Sequence, residues 1–437
     1  MAFSLRGVHA PHRKHTATTP ARRIVPSRAV TVPMQMHIGA PAVPTVKPGD
    51  AVKVGTLIGE AGGFVSVPVY ASVSGTVKKV IDHLLADGRT TSAVVIESDG
   101  EMAVDETLSA PTVNSREDLI EAVRRSGIVG LGGAGFPTHV KLNVDQGKLE
   151  YLVVNCAECE PYVTSDTYTM LERTEDMKRA LTAIKTYLGA RQIVIGIEAN
   201  KGPAIEKMRS LAFSLGKNVS VKVLPALYPQ GGEKVLIYHT TGRVVPMGKL
   251  PIDVGCVVLN CTTLAAIGAY LESGMPLTEK CVTVDGGAVC APANLIAPIG
   301  TPISELFDAC GGLTDEPAKV IYGGPMMGVT VPSTDAPVLK NTNAVLALTK
   351  KEARLPKTTA CIRCGSCTNA CPFGLAPADI ARAYDRKDAT ALTELSLTAC
   401  MECGCCSFVC PANRPLVQTN KLAKAYLKEE QTKEAAK

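Results

Sequence analysis

Two cysteine runs near the C-terminus share one spacing. "CIRCGSCTNACP" places Cys361, Cys364, Cys367 and Cys371 before Pro372, and "CMECGCCSFVCP" places Cys400, Cys403, Cys406 and Cys410 before Pro411. The pattern C-x2-C-x2-C-x3-C-P is one that binds paired [4Fe–4S] clusters. Three closely spaced thiolates converge on one cubane, and the fourth, held by the prolyl turn, reaches the neighbouring one. The spacing assigns Cys361, Cys364, Cys367 and Cys410 to one cluster, and Cys371, Cys400, Cys403 and Cys406 to the other. Gly365 and Gly404 fall where the backbone must pass close to inorganic sulfide. Zinc also takes cysteine pairs, but adjacent quartets without His, each closed by Cys-Pro, suit it poorly. Cys405, between ligands, reads as a bystander. Such a pair of clusters moves single electrons, so it needs a source.

The candidate source is "GIVGLGGAGFPTHVKL", Gly127 to Leu142. Gly130, Gly132, Gly133 and Gly135 let backbone amides approach an anion or a flat ring. A loop of this kind alone is equally a plain turn, and it lacks the acidic residue that completes a dinucleotide fingerprint. The next strand, "YLVVNC", ends in "NCAECEP", and strand ends are where open α/β sheets bind ligands. Glu158 and Glu160 alternate, so one faces a ligand while the other caps or orients; in isolation they would be an exposed acidic turn. Cys156 and Cys159 read as structural thiols. "SREDLIEAVRRSG" predicts a helix stopped at Gly127, and alternating helices and strands follow in a doubly wound pattern. Two further strand ends carry polar groups, at "YPQGGEK" with Glu233 and Lys234, and at "VVLNCTT" with Asn260 and Thr262. Their convergence on one crevice is the expectation. Between the quartets, "PADIARAYDRKDATALTELSL" reads as helix.

The whole chain has 437 residues, 46% of them hydrophobic, enough for two to four domains. A net charge of +5, with no basic run interleaved with aromatics, argues against nucleic acid. Val254 to Leu271 contains eighteen uncharged residues, but Asn260, Thr262 and Thr263 at its middle predict a strand and a capped helix instead of a membrane span. No apolar run resembles a secretory signal, and the metal-type cysteine spacing fits a reducing cytoplasm. No acidic residue precedes Asp50, whereas Arg6, Arg13, Lys14, Arg22, Arg23, Arg28 and Lys47 do. This segment reads as a solvated or partner-facing basic arm.

"GGAGFPTHVKL", "ECEPY" and the paired quartets together resemble the RnfC family, a component of the Rnf ferredoxin:NAD oxidoreductases that couple electron transfer to ion transport. "LRGVHAPHRKHT" and "HIGAPAVPTVKPGDAVKVGTLIGEA" look like that family's N-terminal region, so the likeness runs from about residue 4 to about residue 425. The central part is also similar to the flavin-bearing subunit of respiratory complex I. The resemblance implies FMN wrapped by Gly130, Gly132, Gly133, Ala134 and Gly135, with Lys141 near its phosphate or ring. It carries Asn155, Glu158, Glu160, Glu233, Asn260, Cys261 and Thr262 over as cofactor contacts. Phe136 and Glu160 become the nicotinamide-side, catalytic pair. Leu131, Ala157 and Gly232 depart from the complex I pattern, at an Arg, an Asp and a Glu respectively. "PTVKPGDAVKVGTLIGE" with "VYASVSGTVKKV" is similar to biotin- and lipoyl-carrying barrel-sandwich domains. Its turn "AGGFVSV" has no Lys, so a Gly62–Gly63 hairpin and a docking role are expected. Val282 to Leu313 looks like a β-grasp domain, with Cys290 and Cys310 as core residues.

What this implies is a multidomain α/β chain. Residues 1–110 are a basic arm and barrel-sandwich domain, 111–275 a doubly wound FMN/NAD-binding domain, 276–350 a β-grasp (SLBB-like) domain, and 351–437 a helical, ferredoxin-like double-cluster domain with its tail. It implies hydride exchange between NADH and FMN, then one-electron transfer through two [4Fe–4S] clusters, coupled in the complex to Na+ or H+ translocation. The other Rnf subunits (A, B, D, E and G) and, through them, ferredoxin are the implied partners, with the chain peripheral on the cytoplasmic face of the membrane. Two rivals are a corrin reductase-type flavin/iron–sulfur protein and a noncatalytic iron–sulfur relay with an empty glycine loop. Module order, with the barrel-sandwich first and the quartets last, favours the Rnf likeness over the first rival.

Overall fold

A computed structural model describes residues 6–27 and 29–435. Leu5 and Arg28 lie outside the described residues, as do the last two of the tail. At the centre is a four-stranded parallel sheet in the order Val219–Leu224, Gln192–Glu198, Tyr151–Cys156, Cys256–Asn260. Three of these strands are near-continuous apolar runs because helices cover both faces, while the edge strand Val219–Leu224 alternates and is half exposed. Gln192–Glu198 and Cys256–Asn260 are the most completely buried. The suspected span resolves into the strand Cys256–Asn260 and the helix Cys261–Ser273, as its polar middle predicts. No helix among the described residues is long and apolar enough to cross a membrane.

That last helix packs on Thr174–Tyr187 through Gly268, whose absent β-carbon would lie 1.8 Å from the carbonyl oxygen of Asp176. Gly268→Ala should gain about 1 kcal/mol of helix propensity but lose about 1–3 kcal/mol to overpacking against backbone that has no side chain to swing aside. A net fall in the urea midpoint is the expected result; an unchanged midpoint would mean the helices separate freely.

The barrel-sandwich segment forms two sheets, one from Ala29–Pro33, Thr90–Ser98, Gly75–Leu84 and Ala51–Val52, the other from Val43–Pro44, Leu57–Glu60 and Val69–Tyr70. Leu57–Glu60 and Val69–Tyr70 pair antiparallel, so the expected hairpin is present, with Gly62 and Gly63 in a loop spanning 61–68 in which Ser66 accepts from the Gly62 amide at 3.0 Å. The β-grasp sheet includes Glu279–Asp285, Ala293–Pro298, Lys319–Tyr322 and Ala344–Leu348. Cys310 is buried in its core, but Cys290 is exposed, contrary to expectation. The sequence between the quartets is two helices, Pro377–Asp385 and Ala389–Glu394, because Lys387 takes a left-handed conformation (φ 56°) and Asp388 caps the second.

The N-terminal arm is not a free solvated strand. Arg22–Arg23 pairs in parallel with Leu295–Ile296 and so extends the β-grasp sheet. Further upstream, Val8 exchanges backbone hydrogen bonds with Tyr228 at 2.8 and 3.0 Å, and the Tyr162 amide donates to His12 at 2.9 Å. Arg13, Lys14, Arg22 and Arg23 of this segment find carbonyl or carboxylate partners within the molecule.

Candidate functional site

In the central sheet, strand order reverses at Tyr151–Cys156: the next two strands add on one side of it, and Cys256–Asn260 then adds in parallel on the other. This is the topological switch point where open α/β sheets hold ligands. Asn155 and Asn260 are register partners there. Asn260 caps the helix Cys261–Ser273: its Oδ1 accepts from Thr262 and Thr263 amides at 2.9 and 3.3 Å, and its Nδ2 donates to Asp166 at 2.7 Å. Asn155 Nδ2 donates to the Gly231 carbonyl at 2.8 Å, fixing the turn before Glu233.

The glycine loop lies across this point. A β-carbon on Gly132 would meet three Asn260 side-chain atoms at 3.2 Å. Gly130 donates to the Phe136 carbonyl at 2.8 Å and accepts from Gly135 at 3.1 Å, so the loop closes on itself. Gly133 (φ 127°) and Gly135 (φ 65°) occupy backbone that other residues resist. Gly132, Gly133 and Ala134 are exposed and Phe136 is half-buried, so backbone rather than side chains forms the loop's outer surface. This cradle beside a helix N-terminus suits a phosphate-bearing flat cofactor such as FMN. Lys141 pairs with Glu233, joining the loop's following helix to the Gly231–Gly232 turn.

Behind the crevice, several expected contacts face inward. Glu158 is buried, accepts from the Asp166 amide at 2.7 Å and the Thr167 hydroxyl at 2.6 Å, and pairs with buried Lys201 at 2.8 Å. Cys261 is fully buried, and the buried Thr262 hydroxyl donates to Asp166 at 2.7 Å. Direct side-chain contact to a cofactor is therefore not what these three provide; they shape the residues in front. Of the alternating pair, Glu158 is the orienting one.

Glu160 points toward the β-grasp domain, accepting from the Met326 and Met327 amides at 3.0 and 2.8 Å. Burial pushes its carboxyl up to about 7, against the pull of those two amides and Lys14. An unfolded glutamate titrates near ~4.3, so between about pH 4.3 and 7 the native state binds more protons. The stability this supplies is complete below that window and lost as pH rises through it. Glu160→Gln should flatten the melting temperature across this range; an unaltered slope would place the titration elsewhere.

Lys14, Asp166 and Lys201 escape a reading of the sequence. The Lys14 ammonium donates to the carbonyls of Glu158 and Glu160 at 2.8 and 2.7 Å, and burial pulls its pKa down. Its only signal was its place in a basic stretch that looked solvated.

The two quartets fold alike. Arg363 and Glu402, then Gly365 and Gly404, all have left-handed backbone, and each is followed by one short helix, Ser366–Asn369 or Cys405–Phe408. Cys371, Cys400, Cys403, Cys405 and Cys406 line one cavity, together with Phe373, Leu375 and Asn420. Of the other four, Cys361 and Cys364 are exposed, Cys367 is buried and Cys410 is half-buried. Among the described residues no three His, Cys, Asp or Glu groups converge on a single-ion site. Thiolates around a cubane stand further apart than around one zinc, since irons and sulfides lie between them; a cavity lined by five cysteines, four of them in the ligand spacing, fits that group.

This cavity adjoins the crevice. Tyr228 donates to the Cys403 carbonyl at 2.7 Å, and Met401 packs on Gly232. Met326, whose amide holds Glu160, has its carbonyl against Gly404. Cys405 is buried against the Tyr228 carbonyl, a packing role.

Family profiles match four segments: RnfC barrel sandwich hybrid domain at residues 3–101, Nuo51 FMN-binding domain at 123–269, SLBB domain at 281–330, and 4Fe-4S dicluster domain at 357–414. The chain is 43% identical over 389 residues to the C component of the Na(+)-translocating ferredoxin:NAD(+) oxidoreductase complex of Acetobacterium woodii, covering 87% of each chain. It belongs to the RnfC family. A second member, the C component of the proton-translocating ferredoxin:NAD(+) oxidoreductase complex of Clostridium ljungdahlii, is 42% identical over 85% of this chain and 82% of its own. The C component of the ion-translocating oxidoreductase complex of Rhodobacter capsulatus is 41% identical over 99% of this chain and 85% of its own. Among solved structures, an NAD+-reducing [NiFe]-hydrogenase in the H2-reduced state is similar at TM-score 0.48 and 18% identity, over 73% of this chain and 62% of that one.

As an RnfC protein, the chain thus joins an N-terminal barrel-sandwich, an FMN-binding-type domain, an SLBB domain and a 4Fe–4S dicluster domain in one multidomain α/β molecule. The arm residues Val8 to Thr16, inside the first profile, reach past their own module to the crevice and the cluster loop.

Proposed function

We propose that this RnfC protein is the NAD(H)-interacting electron-transfer subunit of an ion-translocating ferredoxin:NAD oxidoreductase complex, holding FMN at the switch point and two [4Fe–4S] clusters in the quartets. The carrying observation is the contact of the cysteine-lined cavity with the switch-point crevice through Tyr228, Met326 and Met401. When bound, FMN supplies the exchange between a two-electron hydride and single electrons.

The chain's own part is to bind, orient and insulate. Exposed amides of Gly132 to Ala134 and the capped N-terminus of Cys261–Ser273 favour an anionic phosphate. Asn155 and Asn260, themselves held by Gly231 and Asp166, fix the crevice floor. Phe136 and Glu160 are the residues assigned to the nicotinamide side. Tyr228, Met326 and Met401 exclude water between crevice and cavity, so that electrons cross a short apolar seam. Cys361, Cys364, Cys367 and Cys410 would hold the cluster nearer the surface. The chain would sit peripherally on the cytoplasmic face, against the other subunits of the complex (A, B, D, E and G). Relatives named for sodium and for protons match almost equally well, which supports placing ion choice in those other subunits.

Anaerobically purified chain should carry flavin and about eight irons for two cubanes, and NADH should bleach the flavin absorbance. Full iron with neither flavin nor bleaching would select the noncatalytic relay.

A further inference from the structure

Three backbone carbonyls of the glycine loop and its entry are held by side chains of one other module. Lys280 Nζ donates to Leu131 at 2.9 Å, Lys340 Nζ to Gly127 at 2.8 Å, and Asn341 Nδ2 to Gly133 at 2.8 Å. All three belong to the β-grasp region, not to the domain that bears the loop. Lys280 and Lys340 are buried, Lys340 at 1% exposure the largest fully buried side chain. Lys340 also donates to Pro68 at 2.7 Å, tying the barrel-sandwich to the same point.

Two buried ammoniums spent on carbonyls are costly for mere tethering. A buried charge without a matched partner is destabilising, and a neutral donor would make the same hydrogen bond. Burial pulls both lysines down, Lys340 to about 7, while Asp166 opposes the effect at Lys280. What a neutral donor lacks is the charge. A hydride brings one proton and two electrons, so a neutral flavin ring that accepts it gains one negative charge.

We propose that Lys280 and Lys340 are positioning residues for the flavin, holding the glycine loop from behind and supplying positive charge that makes reduced flavin bind more tightly than oxidised. This rests on the reading of the loop as the FMN site. The β-grasp domain is then part of the redox site and not a spacer.

The full chain, reconstituted with FMN, tests it by spectroelectrochemical titration of the flavin, with flavin content and melting temperature alongside. Lys280→Gln keeps a donor for the Leu131 carbonyl but removes the charge. It should retain FMN and shift the two-electron equilibrium toward oxidised flavin at least tenfold, a fall of about 30 mV. Asn341→Ala removes an uncharged anchor, so it should release FMN faster and leave the midpoint unchanged. A Lys280→Gln protein with bound FMN and an unmoved midpoint overturns the proposal. So does one that stays folded but binds no FMN, since the lysine would then act on loop shape alone. Should Lys280→Gln fail to fold, Lys340→Gln is read against the same outcomes at a pH below about 7, where Lys340 carries its charge. Wild-type chain that binds no FMN at all would instead defeat the site assignment beneath it.

Discussion

Cys403→Ala leaves NADH able to bleach the flavin while electron delivery to a one-electron acceptor falls by more than about 100-fold, the upper end of the cost of losing a mere partner behind a metal ligand. The damage is local. Tyr228 holds the backbone carbonyl of Cys403, not its sulfur, so the seam between crevice and cavity survives the substitution. Only a thiolate on the cavity wall is lost. Cys405→Ala is the control, because that buried thiol packs against Tyr228 and is not a ligand in the assignment. It should keep its iron and its acceptor activity. Equal iron loss in both variants would mean that Cys405 is a ligand and the register of the second quartet is wrong. Loss of flavin bleaching in Cys403→Ala would mean the two sites do not fold independently.

Lys201→Met should destabilise the protein by about 3–5 kcal/mol, the cost of leaving one member of a buried pair unpartnered. Both groups are buried, and Glu158 also organises the amide of Asp166 and the hydroxyl of Thr167. Lys14 lies close enough to favour the Glu158 carboxylate too, which puts the effect toward the lower end. Adding Glu158→Gln to Lys201→Met should recover much of the loss, because position 158 then carries no unpaired charge. Urea unfolding of the single and double variants measures the coupling; strictly additive effects would show that the pair acts as two unrelated residues.

The doubly wound core was legible because its signals are local. Its buried strands are short apolar runs, and several helices open or close on a residue whose side chain or φ does the work, as at Ser115, Asn260 and Gly274. The switch point was not legible. That Asn155 and Asn260 become neighbours depends on strand order, which no spacing in the chain encodes. Glu158 and Glu160 could be divided by alternation into one orienting and one facing residue. What each carboxylate binds within the protein depended on Lys201 and on the Met326 loop, forty-three and 166 residues away. Within the basic arm, Lys14 was misread for the same reason, since the carbonyls that take it up belong to a distant turn.

What the sequence by itself determined is the set of candidate ligating and cradling groups: eight cysteines in two matched runs, and a glycine loop before an Asn-capped helix. Such features depend on a few consecutive residues, so spacing is sufficient to specify them. The tertiary structure alone decided which charges are buried, what neutralises them, and that cavity and crevice share one apolar seam. Desolvation and long-range pairing exist only once the modules have closed on one another.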